Sequence, residues 1–226
     1  MATKARSKRP KDQKQTPTAR ARTMKRQAEI TAAACEVFWQ QGYRAASIQD
    51  VADRVGVLKG SLYYYIESKE DLLWRIIEDV HAESTAILEE SLALEVSPIE
   101  RIRLFIERHV AWYLNNVEEV AVFFREWRHL TGERLRTVKG RRRGYEQVIR
   151  ELIEAAQDAG DISGELDVHY AARYVLAAVN AVPDWYRPNG SDSASDIAET
   201  YGAITVGLLT GTPRQVKTSA RARRAA

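Results

Sequence analysis

The stretch SIQDVADRVGVLKGSLYYY, residues 47–65, is the most informative part of this sequence. Ser47 is a residue type that caps helices, and a short amphipathic segment follows it. Ala52 is small enough for two helices to cross closely, and Gly56 lies where a turn needs a positive φ. A second helix is predicted over about residues 59–65. The pattern indicates a helix-turn-helix, whose second helix fits the major groove of B-DNA.

The alternative interpretation of this stretch is an ordinary helical hairpin inside a core, with Val51 and Leu62 holding its two helices together. The flanking sequences favour the DNA-binding interpretation. Residues 27–41 carry an apolar stripe at helical spacing, and Gly42 follows that stripe. Downstream, Ser68 is placed to cap a long helix with acidic residues in its first turn.

Residues 27–75 resemble the N-terminal domain of the TetR family of transcriptional regulators. The residues that match the family's spacing are Gly42, Tyr43, Ser47, Val51, Ala52, Gly56, Val57, Gly60, Tyr63, Tyr65, Lys69 and Glu70. The sequence departs from the family at Leu58, where a Ser or Thr usually caps the recognition helix. It also departs at Tyr65, often His, and at Ile66, often Phe. The departure at Leu58 removes one expected phosphate contact and leaves the fold unaffected.

The motif and the resemblance together predict a set of DNA-contacting residues on and around the second helix. The predicted set is Arg44, Ser47, Lys59, Ser61, Leu62, Tyr63, Tyr64 and Lys69. Lys69, at the start of the following helix, is expected to reach a phosphate of double-stranded operator DNA.

The charge of the chain is distributed unevenly. The formal net charge is +3, but residues 1–26 hold ten Lys or Arg and one acid, and residues 212–226 hold five Lys or Arg and no acid. We expect a disordered basic arm over residues 1–23 and a disordered basic tail over 212–226. The arm would add salt-dependent affinity for DNA without base specificity, or it would be a solubilising tail with no role.

The composition and motifs of the sequence argue against a membrane protein, a secreted protein and an enzyme. No run approaches 18 uninterrupted apolar residues, which predicts no membrane span, and the basic N-terminus lacks the apolar stretch of a secretory signal. Cys35 is the sole cysteine, so no intrachain disulfide can form, and we interpret it as a small buried hydrophobe rather than a reactive thiol. These features predict a cytoplasmic, nucleoid-associated protein. The four histidines lie far apart, and no catalytic or nucleotide-binding motif is found, so we predict no metal site, no cofactor and no catalysis.

Helical periodicity continues almost to the end of the chain, which predicts an all-α protein. We predict a helix-turn-helix domain over residues 24–70 and a ligand-binding and dimerisation domain over 71–211. We predict nine helices, which is the number that the resemblance implies. Three belong to the helix-turn-helix domain, and six belong to the ligand-binding and dimerisation domain, here called the body. Pro183 is expected to kink or end the eighth helix.

The last two predicted helices are apolar on more than one face, so each needs more than one partner. We interpret them as the four-helix bundle of a homodimer, which the resemblance also implies; the alternative is the interior of a monomer. The predicted interface residues are Tyr174, Val175, Val179, Tyr201, Ile204 and Leu208.

Aromatic and cationic side chains alternate in the middle of the body, as a pocket for an apolar anion requires. The predicted ligand-binding residues are Trp112, Tyr113, Phe123, Phe124, Trp127, Arg128, Arg173, Asn180 and Trp185. The segment 185–188 and an arginine-rich seventh helix resemble the acyl-CoA-responsive subset of the family, which implies a CoA thioester as effector. Core packing is the alternative for most of the aromatics. Two other functions remain open: response to a drug-like cation, with Glu126 and Asp184 as counter-charges, and ligand-independent architectural DNA binding.

Overall fold

The structure, a computed structural model, describes residues 17–188 and 190–211, and within those residues every regular element is a helix. The α-helices are α1 (Pro17–Gln41), α2 (Ile48–Val55), α3 (Lys59–Leu62), α4 (Lys69–Leu92), α5 (Pro98–Asn115), α6 (Val117–Glu126), α7 (Gly132–Asp158), α8 (Val168–Asn180), α9 (Val182–Trp185) and α10 (Ala194–Thr210). A 3-10 turn, Trp127–His129, joins α6 to α7. The all-α prediction is confirmed.

The first hydrophobic core holds the DNA-binding unit together and ties it to the body. Ile30, Phe38 and Leu62 are fully buried in it, beneath the crossing of α1, α2 and α3. The first turns of α4 close this core, and so do Trp127 and Leu130 from the body. The recognition helix is therefore positioned by residues of the N-terminal segment together with residues from the middle of the chain.

The second core lies between α5, α7, α8 and α10. Helix α10 packs along α5. A Cβ atom at Gly202 would lie 2.6 Å from the Cγ of Glu107, so a larger residue at this position would require the Glu107 side chain to move.

Several predicted boundaries differ from the structure. Helix α1 begins at Pro17, so residues 17–23, which we expected to be disordered, are helical. The remaining residues of the predicted arm, 1–16, and the predicted tail lie outside the described residues. Helix α3 ends at Leu62 rather than at Tyr65. The predicted break at Pro183 is confirmed, because α8 ends at Asn180 and the short α9 carries the proline in its first turn.

Candidate DNA-binding surface and effector cavity

Local contacts explain why the helix-turn-helix forms where the sequence places it. The hydroxyl of Ser47 accepts a hydrogen bond from the backbone N–H of Asp50 at 3.2 Å, and the Asp50 carboxylate accepts one from the Ser47 backbone N–H at 2.7 Å. This reciprocal pair caps α2. Gly56 ends α2 with a φ of 74°, as the turn requires. The backbone N–H of Val57 then donates to the carbonyl of Ala52 at 3.0 Å.

Most of the predicted DNA-contacting side chains lie on one exposed surface. Tyr64 is 88% exposed, and Tyr63, Lys59 and Arg44 are also exposed. Ser61 is half-buried. These residues remain candidates for contact with a DNA groove or its phosphates.

Leu62 is wrong as a predicted DNA contact, because its side chain is 0% exposed and belongs to the core beneath α1 and α2. Ser47 is exposed, but its hydroxyl also donates to the Asp50 carboxylate at 2.7 Å. Leu58 precedes α3 without any side-chain cap, which agrees with the departure noted in the sequence.

Lys69 has a structural role that the sequence did not indicate. Its Nζ donates hydrogen bonds to the backbone carbonyls of Tyr43 at 2.7 Å and Ala46 at 2.8 Å, and it lies 4.3 Å from the centre of the Tyr43 ring. The lysine thus fixes the segment between α1 and α2 against the start of α4. A phosphate contact from Lys69 would use the remaining N–H of an ammonium group that is already engaged.

A cavity of about 450 Å³ lies between α4, α5, α6, α7 and α8, within the size range of small-molecule sites. It brings together several predicted ligand-binding residues: Tyr113, Phe123, Phe124, Trp127, Arg173 and Asn180. Arginines of the seventh helix, which we predicted as an alternative site for the effector's phosphates, also line it: Arg141, Arg142 and Arg143. The lining residues that the prediction missed are Ile77, His81, Ser84, Val138, Lys139, Tyr145, Glu146, Leu176 and Ala177.

Three predicted ligand-binding residues lie elsewhere. Trp112 is on the far side of α5 and lines a different cavity. Trp185 stacks on Tyr201 with ring centres 6.2 Å apart. Arg128 is exposed, and its guanidinium lies 4.7 Å from the ring centre of Trp127.

The predicted counter-charges for a cationic ligand are also engaged with other groups. Glu126 accepts a hydrogen bond from the backbone N–H of Tyr43 and lies 3.3 Å from His129, and Asp184 pairs with Arg125 at 2.8 Å. Neither acid lines the cavity.

The cationic side chains of the cavity differ in whether an acid already neutralises them. Arg141 pairs with Glu78 of α4, and Arg173 lies 3.1 Å from Glu146. Arg142 forms no salt bridge with any residue in the described part of the chain.

Arg142 instead packs on aromatic rings. Its guanidinium lies 5.2 Å from the ring centre of Trp127 and 5.7 Å from that of Phe124. Burial lowers the pKa of Arg142, so its charge is incompletely solvated. An anion in the cavity would compensate that charge.

Neutral polar groups complete the cavity wall. The Tyr113 hydroxyl donates to Oδ1 of Asn180 at 3.3 Å, and the Tyr145 hydroxyl lies 3.1 Å from Nδ1 of His109. His109 is only 1% exposed, and burial lowers its pKa to about 3, so the imidazole is uncharged at neutral pH. Burial also raises the pKa of both tyrosines. These groups offer hydrogen bonds without adding charge.

The predicted dimer residues divide into exposed and buried sets. Ile204 is 57% exposed, and Tyr174 and Leu208 are also exposed, so they form an uncovered apolar surface on α8 and α10. Tyr201 is partly buried. Val175 and Val179 are wrong as interface residues: Val175 is 3% exposed, and both pack into the core of their own protomer.

Comparison with known proteins agrees with this architecture. Residues 30–76 match the profile described as bacterial regulatory proteins, tetR family, and residues 95–209 match the tetracyclin repressor-like C-terminal domain. The chain belongs to the TetR family of transcriptional regulators. The sequence-based resemblance is confirmed, and the two matched segments correspond to the DNA-binding unit and the body. In the described part of the chain, no helix combines the length and apolar character needed to cross a membrane.

Named relatives of this TetR-family chain include two regulators. The HTH-type transcriptional repressor KstR2 of Mycobacterium tuberculosis is 26% identical over 193 residues, covering 82% of this chain and 93% of that protein. The fatty acid metabolism regulator protein of Bacillus subtilis is 22% identical, covering 81% of this chain and 93% of that protein.

Solved structures share the fold. The ketosteroid transcriptional regulator KstR2 of Mycobacterium tuberculosis superposes with a TM-score of 0.78 at 24% identity, covering 82% of this chain and 95% of that chain. AibR, solved in complex with isovaleryl coenzyme A and operator DNA, superposes with a TM-score of 0.73 at 24% identity, covering 83% of this chain and 99% of that chain.

Proposed function

We propose that this regulator is a homodimeric repressor that a small apolar anion, an acyl- or aryl-CoA thioester, releases from a palindromic operator. It would act in the cytoplasm, on DNA of the nucleoid. The exposed surface of α3 would contact successive major grooves, and the cavity of the body would bind the effector.

The observation that carries this proposal is the environment of Arg142. A half-buried guanidinium lies against Trp127 and Phe124 without a salt bridge to a described residue, in a cavity that Lys139 and Arg143 also line. Arginine is suited to phosphate because its planar group donates two parallel hydrogen bonds. An anionic ligand would therefore gain more here than a neutral or cationic one.

The remaining walls suit the acyl part of a thioester. Phe123, Ile77 and Val138 contribute apolar surface to the same cavity. A CoA thioester joins an apolar acyl group to an anionic nucleotide, so one molecule would satisfy both kinds of wall. The nucleotide would extend from the cavity towards the exposed Lys139 and Arg143.

The cavity is connected to the DNA-binding unit by the 3-10 turn. Trp127 lines the cavity, while its neighbour Glu126 accepts a hydrogen bond from the backbone N–H of Tyr43. An effector that displaces Trp127 would alter this contact. To shift an operator from about 99% occupied to about 1% occupied, the effector must bind the non-binding arrangement of the protein more tightly by on the order of 5 kcal/mol.

The comparisons support the class of ligand. KstR2 is described as a ketosteroid transcriptional regulator and the Bacillus subtilis protein as a fatty acid metabolism regulator, and AibR was solved with isovaleryl coenzyme A. Activated carboxylic acids are common to such metabolism, and the arginine-lined aromatic cavity is consistent with them.

The test is release of the protein from its operator, titrated with a series of acyl- and aryl-CoA thioesters, the matching free acids, and CoA alone. We expect thioesters to release the operator and free acids to act weakly. Arg142→Gln should weaken release by at least about tenfold, because a charged hydrogen bond contributes on the order of 1.5–3 kcal/mol. Arg136→Gln, an exposed residue on the same helix paired with Glu133, is the matched control.

Each outcome of the titration has a distinct meaning. If free acids act as well as thioesters, the assignment of phosphates to arginines is wrong and the cavity binds carboxylates. If neither class changes operator affinity or thermal stability, the effector class is wrong. Equal responses of the Arg142 and Arg136 variants would remove Arg142 from the site.

A further inference from the structure

We propose that a second cavity, between α1 of the DNA-binding unit and α4, α5 and α6 of the body, binds a small organic cation with an apolar portion. This site is separate from the effector cavity and does not depend on the effector's identity. Its volume is about 460 Å³, which suits a small molecule. The residues that line it are Gln27, Ala28, Thr31, Ala32, Cys35, Arg75, Ile76, Asp79, Val80, Glu83, Trp112, Asn116 and Glu119.

The charge of this cavity is opposite to that of the effector cavity. Asp79, Glu83 and Glu119 line it; all three are exposed to solvent, and none of them forms a salt bridge with a residue of the ranges 17–188 and 190–211. Among the described residues that line the cavity, Arg75 is the single cation, and it already donates hydrogen bonds to Asp71 at 2.8 Å and to the Tyr65 carbonyl at 2.7 Å. The cavity therefore has more negative than positive charge.

The pKa values of carboxyl groups at and beside the cavity are raised, as expected where negative charges lie close together. Burial raises the pKa of Asp79, and the nearby Glu78 and Glu83 raise it further. Glu118, next to Glu119 on α6, also has a raised pKa because of burial and then the charge of Glu119. A bound cation would relieve this crowding of carboxylates.

Apolar and aromatic walls favour an organic cation. Trp112 contributes aromatic surface, and Ile76 and Val80 contribute aliphatic surface. A cation over an indole ring gains about 0.5–2 kcal/mol from the ring's quadrupole. Within the described residues, no three His, Cys, Asp or Glu side chains form a group that could hold a metal ion. The walls therefore suit a quaternary ammonium or an aromatic amine rather than a metal.

Cys35 gives the cavity an internal reporter. Its side chain is 3% exposed and lines the cavity, and none of the hydrogen bonds found among the described residues involves its thiol. It is the sole cysteine of the chain, so any thiol modification reports on this position alone. A ligand that fills the cavity would cover the sulfur and also join α1 to α4 and α6.

The experiment measures the rate at which N-ethylmaleimide modifies Cys35 in the full-length protein, by intact mass, with increasing benzyltrimethylammonium. Calorimetry measures binding in parallel. Burial raises the pKa of the Cys35 thiol, so modification without ligand is already slow and is followed over a long time course. We expect the ligand to slow it about tenfold further at roughly ten times the dissociation constant, because protection follows one plus the ratio of ligand to that constant. The uncharged near-isostere dimethyl benzyl carbinol tests the need for charge, and spermidine tests the need for the ring.

Two variants test the site itself. Asp79→Asn with Glu119→Gln should abolish both protection and binding heat, whereas Glu90→Gln, an exposed acid of α4 outside the cavity, should change neither. Thermal melts check that the variants fold. The proposal is overturned if the carbinol protects as well as the cation, if protection survives in the double variant, or if calorimetry detects no saturable binding to the unmodified protein.

Discussion

The carboxylate of Glu126 accepts a hydrogen bond from the backbone N–H of Tyr43 at 3.2 Å, joining the end of α6 to the turn between α1 and α2. Tyr43 also stacks on His129, with ring centres 5.3 Å apart, and Nε2 of His129 lies 3.3 Å from Glu126. Trp127, which lines the effector cavity, lies between these two body residues in sequence. The DNA-binding unit and the cavity are thus separated by a single 3-10 turn.

Glu126→Ala should lower the free energy of unfolding by about 1–2 kcal/mol, because the Tyr43 N–H loses its partner in a part-buried place. Operator affinity should also change, since the turn before α2 is no longer fixed. Urea unfolding and operator titration measure the two effects. Glu133→Ala, an exposed acid at the start of α7, is the control and should change neither. If Glu126→Ala behaves like Glu133→Ala, the contact between Glu126 and Tyr43 does not couple the body to the DNA-binding unit.

Lys69→Ala should lower the free energy of unfolding by about 1–2 kcal/mol, because two backbone carbonyls lose a charged donor. Lys59→Ala, an exposed lysine of α3, should leave stability unchanged and reduce the salt dependence of operator binding by about one unit. A Lys69 variant of normal stability, with a reduced salt slope, would instead assign Lys69 to a phosphate contact.

Gly56→Ala should destabilise the protein by about 1 kcal/mol or more, because φ at this position is +74° and a Cβ is strained there. Among the residues that the structure describes, no atom beyond the chain neighbours lies within 4 Å of the position of that Cβ, so the effect isolates backbone conformation. Gly60→Ala is the matched control: it has equal space but lies in α3, where alanine is favoured over glycine. Thermal melts should show opposite shifts, and equal shifts would contradict the assigned turn.

Local patterns made the helix-turn-helix predictable from sequence. A cap, a small residue and a turn glycine act on neighbours a few residues away, so Ser47, Ala52 and Gly56 determine their own surroundings. The length of α3 was overestimated, because the tyrosines that follow Leu62 continue the helical pattern in sequence but form turns in the structure.

The cavity residues were only partly predictable, because adjacent residues of a helix point about 100° apart. Tyr113 faces the effector cavity, while Trp112, its neighbour, faces the acidic cavity. Tyr174 is exposed and Val175 is buried for the same reason. An apolar pattern identifies a covered face but not whether the protomer or a partner covers it.

The sequence also does not show which arginines of α7 have an acidic partner. Arg134 pairs with Asp71 and Arg141 with Glu78, both 63 residues away in sequence. Arg142 lies among aromatic rings instead. Only the tertiary structure, which brings acids of α4 beside Arg134 and Arg141, distinguishes these neutralised arginines from Arg142.

Stability should fall below neutral pH because of His109. Its folded pKa, about 3, lies below the ordinary value of 6.5, so between these pH values the unfolded chain binds a proton that the folded chain excludes. At pH 5 the loss should be about 2 kcal/mol relative to pH 7. The double variant His109→Phe with Tyr145→Phe, which removes both hydrogen-bond partners, should show a shallower dependence in urea unfolding. Burial also lowers the pKa of His81, so His81 adds to the loss of stability at low pH in both the unmodified protein and the variant. An unchanged pH slope in the variant would contradict a neutral buried His109.

Ile204→Glu should convert the proposed homodimer into folded monomers, because it places two like charges near a two-fold axis on an exposed apolar surface. Val175→Glu should instead unfold the protomer, since that side chain is buried in the core between α8 and its neighbours. Sedimentation gives the oligomeric state, and circular dichroism gives the fold. Gln147→Glu, an exposed change on α7, is the control and should remain dimeric. A monomeric unmodified chain would rule out the homodimer, and a dimeric Ile204 variant would move the interface away from α10. A folded Val175 variant would contradict the packing of α8, so the pair separates interface effects from core effects.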